Sequence, residues 1–150
     1  MSLESDVADL WQRYDDGLTA ADADADDHAV LERFLEALEA GEIRAAEPDG
    51  EDWVVNAWVK QGILLNFGLR ETEAREYGDV TYHDVLPLRA TGDLGHRGTR
   101  NTPDGTVIRR GAYVGSDAIM MSPSFVNIGS HVCDGPLLDS CDTVGSCAQI

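Results

Sequence analysis

The carboxy-terminal third of the chain carries a six-residue repeat. Eight aliphatic residues stand six apart without a slip: Ile108, Val114, Met120, Val126, Val132, Leu138, Val144 and Ile150. A second series, four positions after the first seven of these, is mostly small: Ala112, Ala118, Ser124, Ser130, Pro136, Asp142 and Ala148. Neither the 3.6-residue period of a helix nor the two-residue period of a strand produces this spacing. The repeat therefore predicts a parallel β-helix.

The period also predicts how the coils stack. If three hexads close one triangular coil, equivalent residues of successive coils lie above one another, about 4.8 Å apart like neighbouring strands. Ile108 is then expected on Val126 on Val144, with each aliphatic side chain in the axis and each small residue at a corner. Residues 106–150 make about two such coils.

Residues 1–47 predict two amphipathic helices. Val7, Leu10, Trp11 and Tyr14 share one helical face, and Val30, Leu31, Phe34, Leu35 and Leu38 share another. Residues 19–27 read as a solvated linker, with Asp26 or Asp27 capping the second helix and Gly41 ending it. This part is predicted to be a helical cap that packs on another element.

The middle of the chain gives weaker signals. A turn is predicted at 48–50, and a third helix is predicted to contain Trp53 and Trp58. Residues 63–67 fit a short strand or a helix end, and 78–103 read as a loop. We expect Trp11, Trp53 and Trp58 in the core. The fold class is α+β, divided into a helical and mixed N-terminal domain, 1–105, and a β-helix domain from 106 to 150.

Charge and composition exclude several classes of partner. The net charge is −17, and residues 1–52 hold 17 acidic residues against three arginines. Such a field opposes binding to nucleic acid or to an anionic membrane. The sequence has no apolar run long enough to span a membrane and no secretory signal, so we expect a cytoplasmic protein.

The cysteines and histidines do not predict a metal site. Cys133, Cys141 and Cys147 match no zinc or redox spacing, and we expect them as small buried side chains. His131 precedes an axial position and is expected on the surface.

Several segments resemble the tetrahydrodipicolinate N-succinyltransferases of lysine and diaminopimelate synthesis. These segments are Pro123-Ser-Phe-Val-Asn-Ile-Gly-Ser130, Leu138-Asp-Ser140, Thr143-Val-Gly-Ser-Cys-Ala-Gln-Ile150 and Trp58-Val-Lys-Gln-Gly-Ile-Leu-Leu-Asn-Phe67. The resemblance covers the whole chain and is most specific towards its carboxy-terminal end. It implies a left-handed β-helix and an enzyme that works as a homotrimer.

The resemblance also implies an activity. Members of this family transfer succinyl from succinyl-CoA to the amino group of acyclic tetrahydrodipicolinate, a dicarboxylate. Succinyl-CoA is then a co-substrate and no permanently bound cofactor is expected. Because the amine attacks the thioester directly, the cysteines need no covalent role.

Two residues match the substrate-binding positions of this family. Arg100, one of four clustered arginines with Arg97, Arg109 and Arg110, matches its substrate arginine. Asp139 matches its substrate-binding acid, which is expected to bind the ammonium form of the acceptor or to help it lose a proton. The residue types alone leave plainer explanations open, namely a solvated loop arginine and an acid tolerated at its hexad position. No residue is assigned to binding coenzyme A.

The chain also departs from the family. Cys141-Asp142 replace the usual Trp-Ala, which is expected to alter the groove wall beside Asp139. Family members continue for several more coils, so we expect that this chain is truncated after Ile150. An acetyl-CoA-dependent enzyme and a non-catalytic trimerisation module stay open as alternatives.

Overall fold

The computed structural model describes residues 2–150, a mixture of helices and short strands. The helices are α1 (Leu3–Asp15), α2 (Ala25–Ala40), α3 (Ala57–Gly68) and α4 (Gly92–His96). Two antiparallel hairpins join β1 (Ala46–Asp49) to β2 (Asp52–Val55) and β3 (Glu73–Tyr77) to β4 (Val80–Asp84). The remaining strands are β5 (Arg100–Asn101), β6 (Thr106–Ile108), β7 (Tyr113–Val114), β8 (Ile119–Met120), β9 (Ser124–Val126), β10 (His131–Val132), β11 (Leu137–Leu138) and β12 (Thr143–Val144).

The two predicted amphipathic helices are confirmed as α1 and α2. Gly41 ends α2 in the left-handed conformation, with φ of 74°, as expected for a residue without Cβ. The N-cap is Asp24, earlier than predicted. Asp27 lies inside the first turn, where its carboxylate accepts a hydrogen bond from the Asp24 amide at 3.1 Å and closes a capping box.

The capping residue Asp27 also joins α1 to α2. Its side chain is nearly buried and accepts two hydrogen bonds from the Arg13 guanidinium, one of them at 3.0 Å. Burial alone would raise the pKa of Asp27, but the hydrogen bonds from Arg13 and from the Asp24 amide lower it below 3.8. Asp27 is therefore held as a carboxylate between the two helices.

We expect Asp27→Asn to lower the free energy of unfolding by about 1–2 kcal/mol near neutral pH, because asparagine cannot form the charged hydrogen bonds with Arg13. The pKa of Asp27 in the folded protein lies below its ordinary value of 3.8. The wild type therefore has this extra stability at pH values above 3.8 and loses it as the pH falls through the pKa of the folded state. The variant lacks that part of the acid dependence. Urea unfolding across this pH range measures both effects.

Asp26→Asn is the matched control, since Asp26 lies in the same helical turn with an exposed side chain. It should unfold like the wild type. If the free energy of unfolding depends on pH in the same way in the wild type and in Asp27→Asn, Asp27 does not have the role assigned to it.

The middle of the chain differs from its prediction at Trp53. The turn predicted at 48–50 lies instead at residues 50–51, because Pro48 and Asp49 belong to β1. It closes a hairpin whose second strand contains Trp53, paired with Pro48. Trp53 is 55% exposed, so neither its helical assignment nor its place in the core was right. The local antiparallel pairing takes up residues 52–55 before α3 begins at Ala57. Residues 63–67, left open as strand or helix end, belong to α3.

The other tryptophans pack as expected. The Trp58 ring lies edge to face against Phe34, with ring centroids 6.1 Å apart, and Trp11 packs on the same core.

The segment 78–103 is not a loop, contrary to its composition. It contains the turn and the second strand of the β3–β4 hairpin, with Gly78 of the two-residue turn at φ of 61°, and then α4 and β5. The hairpin is largely exposed, so its sequence lacks the alternation of polar and apolar residues that identifies a half-buried strand.

The predicted stacking of the hexads is confirmed. Ile108 pairs in parallel with Val126, and Val126 with Val144. Val114 pairs with Val132 in the same sense. Paired strands are three hexads apart along the chain, except that one extra residue separates β5 from β8. They form three sheets, β5–β8–β11, β6–β9–β12 and β7–β10. Their aliphatic residues form one buried cluster, which Leu94 of α4 joins.

The parallel pairing begins before the first predicted hexad. Arg100 and Asn101 of β5 pair with Ile119 and Met120 of β8. The helices have a separate core, which reaches the coil through Ile128. The division of the chain between residues 105 and 106 stays a prediction.

The cysteines were predicted to be buried, and this is wrong for Cys133 and Cys141. Both are exposed because neither occupies an axial hexad position, and Cys141 lies at a corner with φ of 72°. Cys147 is half-buried against the helical core. No helix within residues 2–150 is long and apolar enough to cross a membrane.

Candidate active site

The two predicted site residues lie on the outer face of one sheet. Arg100 is level with Ile119 in β8 and Leu137 in β11, and Asp139 follows two residues after Leu137. The axial side chain of Leu138 points inward, whereas Arg100 and Asp139 are both exposed. Two strand spacings and two residues separate their Cα atoms, which is about 12 Å. An arginine side chain and an extended substrate together span such a distance.

Arg100 is attached to the sheet by its backbone. Its N–H donates to the Ala118 carbonyl at 2.8 Å. Within residues 2–150 its guanidinium has no hydrogen-bonding or ion-pairing partner, and the side chain is exposed to solvent. It is therefore a cation available to an anion from solution.

The other three arginines of the predicted cluster are engaged within the protein. Arg97 is held by Val114 and Asp93, Arg109 by Asp84 and Asn127, and Arg110 by Glu39 and Glu32. Burial would lower the pKa of Arg110, but the two carboxylates raise it. These three guanidinium groups join parts of the fold, so the structure separates Arg100 from its neighbours in sequence.

Asp139 is fixed at a corner of the coil by two short contacts. Its Oδ1 accepts a hydrogen bond from the Ser140 N–H at 2.7 Å, and its own N–H donates to Asp142 Oδ2 at 2.7 Å. Ser140 Oγ in turn donates to the Ser122 carbonyl of the preceding coil at 2.7 Å. The Asp139 carboxylate keeps an exposed oxygen, which can accept a proton or bind an ammonium group.

Sequence reasoning did not identify Asp142 as the partner of Asp139. The spacing of two aspartates three residues apart at a corner was the available signal, because such side chains commonly bond nearby backbone amides. Ser122 was also missed. Its Oγ lies 2.8 Å from Thr102 Oγ1 and 3.0 Å from Thr106 Oγ1, which ties the Arg100 strand to the next coil.

An open cleft of about 210 Å³ adjoins the Asp139 corner. Asp142 forms part of its wall beside Cys141, and Val107 and Phe125 contribute apolar surface. The two residues that depart from the family pattern therefore line this cleft. A larger cavity of about 410 Å³ lies on the cap around Arg33 and Glu36, away from Asp139 and Arg100.

His131 is half-buried, more enclosed than the surface position predicted for it. Its ring stacks on Tyr113 with centroids 4.2 Å apart. Burial, reinforced by the charge of Arg44, lowers the pKa of His131 to about 4. It lies in the β7–β10 sheet, not in the sheet of Asp139. In the described part of the chain, no group of three or more His, Cys, Asp or Glu side chains is arranged to hold a metal ion.

The comparisons with known proteins agree with one another. Residues 2–69 match the family model described as tetrahydrodipicolinate N-succinyltransferase N-terminal. Similar proteins named 2,3,4,5-tetrahydropyridine-2,6-dicarboxylate N-succinyltransferase include those of three bacteria. The identity is 33% for Dechloromonas aromatica, 38% for Acinetobacter baylyi and 42% for Paramagnetospirillum magneticum.

These matches cover most of the chain but only part of each relative. They include 99%, 88% and 81% of this chain and 54%, 49% and 45% of the respective relatives. The chain thus spans about half the length of the curated relatives it matches. Because the matches extend beyond residues 2–69 into the hexads, they join the helical cap and the coil in one family. The chain belongs to the tetrahydrodipicolinate N-succinyltransferase family.

Proposed function

We propose that the protein transfers succinyl from succinyl-CoA to the amino group of acyclic tetrahydrodipicolinate in lysine and diaminopimelate biosynthesis. The observation that carries the proposal is family membership, since the relatives are named for this succinyl transfer. The placement of an unpaired arginine and an exposed aspartate on one outer face supports it, because a dicarboxylate with an amino group needs both charges.

In the proposed reaction, Arg100 binds a carboxylate of the acceptor and Asp139 faces its amine. Asp139 holds the ammonium form or accepts its proton, so that the neutral nitrogen is present for attack. The nitrogen attacks the thioester carbonyl carbon, a C–N bond forms and the C–S bond breaks. Coenzyme A leaves as the thiolate and takes up the proton that the nitrogen loses as it becomes an amide, which gives the thiol. No side chain of the protein becomes acylated.

The architecture proposed with this function is a left-handed β-helix in a cytoplasmic homotrimer. Parallel strands three hexads apart support the β-helix, and the family resemblance supports its hand and the trimer. Succinyl-CoA and the dicarboxylate acceptor are the proposed small-molecule partners. Neither a nucleic acid nor a membrane is proposed as a partner.

Release of coenzyme A tests the activity. The protein from its complete gene is incubated with succinyl-CoA or acetyl-CoA, with and without the acceptor. We expect thiol release that depends on the acceptor and is faster with succinyl-CoA. Faster release from acetyl-CoA would replace the donor assignment. A folded protein that releases no thiol from either donor would favour the non-catalytic trimerisation module and overturn the proposal.

A further inference from the structure

A buried arginine outside the candidate site lies between the helical cap and the segment that carries Arg100. The Arg89 side chain is 3% exposed and donates two hydrogen bonds to the Asp93 carboxylate, at 3.0 and 2.8 Å. Its Nε lies 3.9 Å from Glu39 Oε2 on α2. Arg89 therefore joins α2 to α4, although α3 and two hairpins separate these helices in sequence.

Asp93 extends this series of ion pairs to Arg97. The hydrogen bond from Arg89 lowers the pKa of Asp93, which keeps it ionised. Its Oδ2 lies 3.6 Å from Arg97 Nη2, and Arg97 Nη1 donates to the Val114 carbonyl at 3.2 Å. The ion pairs thus run from the cap to the coil and end three residues before Arg100.

The residues between Arg97 and Arg100 have little freedom. Gly98 has φ of 75°, and a Cβ there would collide with Asp117 Oδ1. The buried Thr99 donates its Oγ1 hydrogen to the Gly115 carbonyl at 2.8 Å. A shift in α4 is therefore expected to move the Arg100 backbone and, with it, the guanidinium.

We propose that Arg89 and Asp93 are positioning residues that hold Arg100 where it binds the acceptor. The inference rests on the proposed function, because it takes Arg100 as the residue that binds a substrate carboxylate. Neither Arg89 nor Asp93 contacts the substrate. Their ion pair fixes the segment 93–100 against the coil, and through it links the helical cap to the substrate-binding face.

A double-mutant cycle of Asp93→Ala and Arg100→Ala tests the proposal in the protein from the complete gene. Arg100→Ala should raise the acceptor KM by about 10- to 100-fold through loss of a charged hydrogen-bonded contact. Asp93→Ala should raise it about 3- to 10-fold, by displacing that contact. The double variant should match Arg100→Ala alone, because Asp93 acts through Arg100. The KM for succinyl-CoA should not change.

Asp6→Ala is the matched control, since it removes an ion pair with Arg33 that lies wholly on the cap. Its acceptor KM should equal that of the wild type. The proposal would be overturned if Asp93→Ala and Arg100→Ala raise the acceptor KM independently, so that their effects multiply in the double variant. An Asp93→Ala variant that lowers only kcat, as a smaller folded fraction would, also overturns it. If Asp93→Ala does not fold, Arg89→Lys, which keeps the charge but loses the bidentate contact, takes its place in the cycle.

Hydrogen exchange separates this inference from the proposed activity. Asp93→Ala should speed exchange of the Arg100 amide about 10-fold or more, while the Val126 amide keeps the wild-type rate. Unchanged exchange at Arg100 would overturn the positioning role even in an active enzyme. If the wild type releases no thiol, the proposed function fails, and accelerated exchange confined to residues 97–101 would still support the mechanical link.

Discussion

Replacing Asp139 with asparagine is expected to lower kcat/KM for the acceptor by about 100- to 10,000-fold, the range typical of a general acid or base. Asparagine keeps the size of the side chain and can still accept the Ser140 N–H at 2.7 Å, so the corner should retain its geometry. What is lost is the negative charge and the ability to take a proton. Steady-state coenzyme A release at varied acceptor concentration measures the change.

The two roles open to Asp139 predict different kinetics. A residue that binds the ammonium group mainly raises the acceptor KM when neutralised, whereas a proton acceptor mainly lowers kcat. Asp134→Asn is the matched control. Asp134 is another exposed corner acid, whose Oδ1 accepts from the Ser116 N–H at 2.8 Å in a different sheet. Equal turnover of Asp139→Asn and the wild type would remove Asp139 from the site.

Val126→Asp should destabilise the coil by about 4 kcal/mol or more, because an unpaired carboxyl group would enter the apolar axis. Val126 is fully buried between Ile108 and Val144, and the described residues of this stack offer it no polar partner. Denaturant unfolding followed by circular dichroism should show either a much lower midpoint or no folded coil.

Thr143→Asp provides the comparison for this prediction. Thr143 precedes the axial Val144 in the same strand, and its side chain is exposed. Because successive side chains in a strand point to opposite faces, the aspartate there stays in water and should change stability by no more than about 0.5 kcal/mol. Similar losses in both variants would contradict the inward direction of the hexad aliphatics.

Strongly periodic segments were the predictable part of this fold. The hexads and both amphipathic helices could be identified because burial imposes a spacing on the sequence, and that spacing is visible without coordinates. The β3–β4 hairpin and Trp53 leave no such spacing. They lie on exposed ribbons whose pairing depends on turn geometry and not on a buried face.

The candidate site, like the fold, was predictable from the sequence only in part. Arg100 and Asp139 were chosen by resemblance. The three-hexad register places Asp139 beside β8, but only the structure shows that β5, which lies before the first hexad, pairs with β8 through one extra residue. Sequence reasoning grouped four arginines as equivalent cations. Within the described part of the chain, three are engaged and one is free. That separation depends on Glu39 and Asp84, which are distant in sequence from Arg110 and Arg109, whereas Asp93 holds Arg97 from only four residues away.

The sequence by itself determined the coil period, the residues in its axis and the family. A repeat enforced by close packing is local and recurs with every hexad, so it can be counted along the chain. Only the tertiary structure decided which charges are neutralised. An ion pair needs two side chains within a few ångströms, and the fold, not the spacing in sequence, brings Arg110 to Glu39 and leaves Arg100 facing solvent.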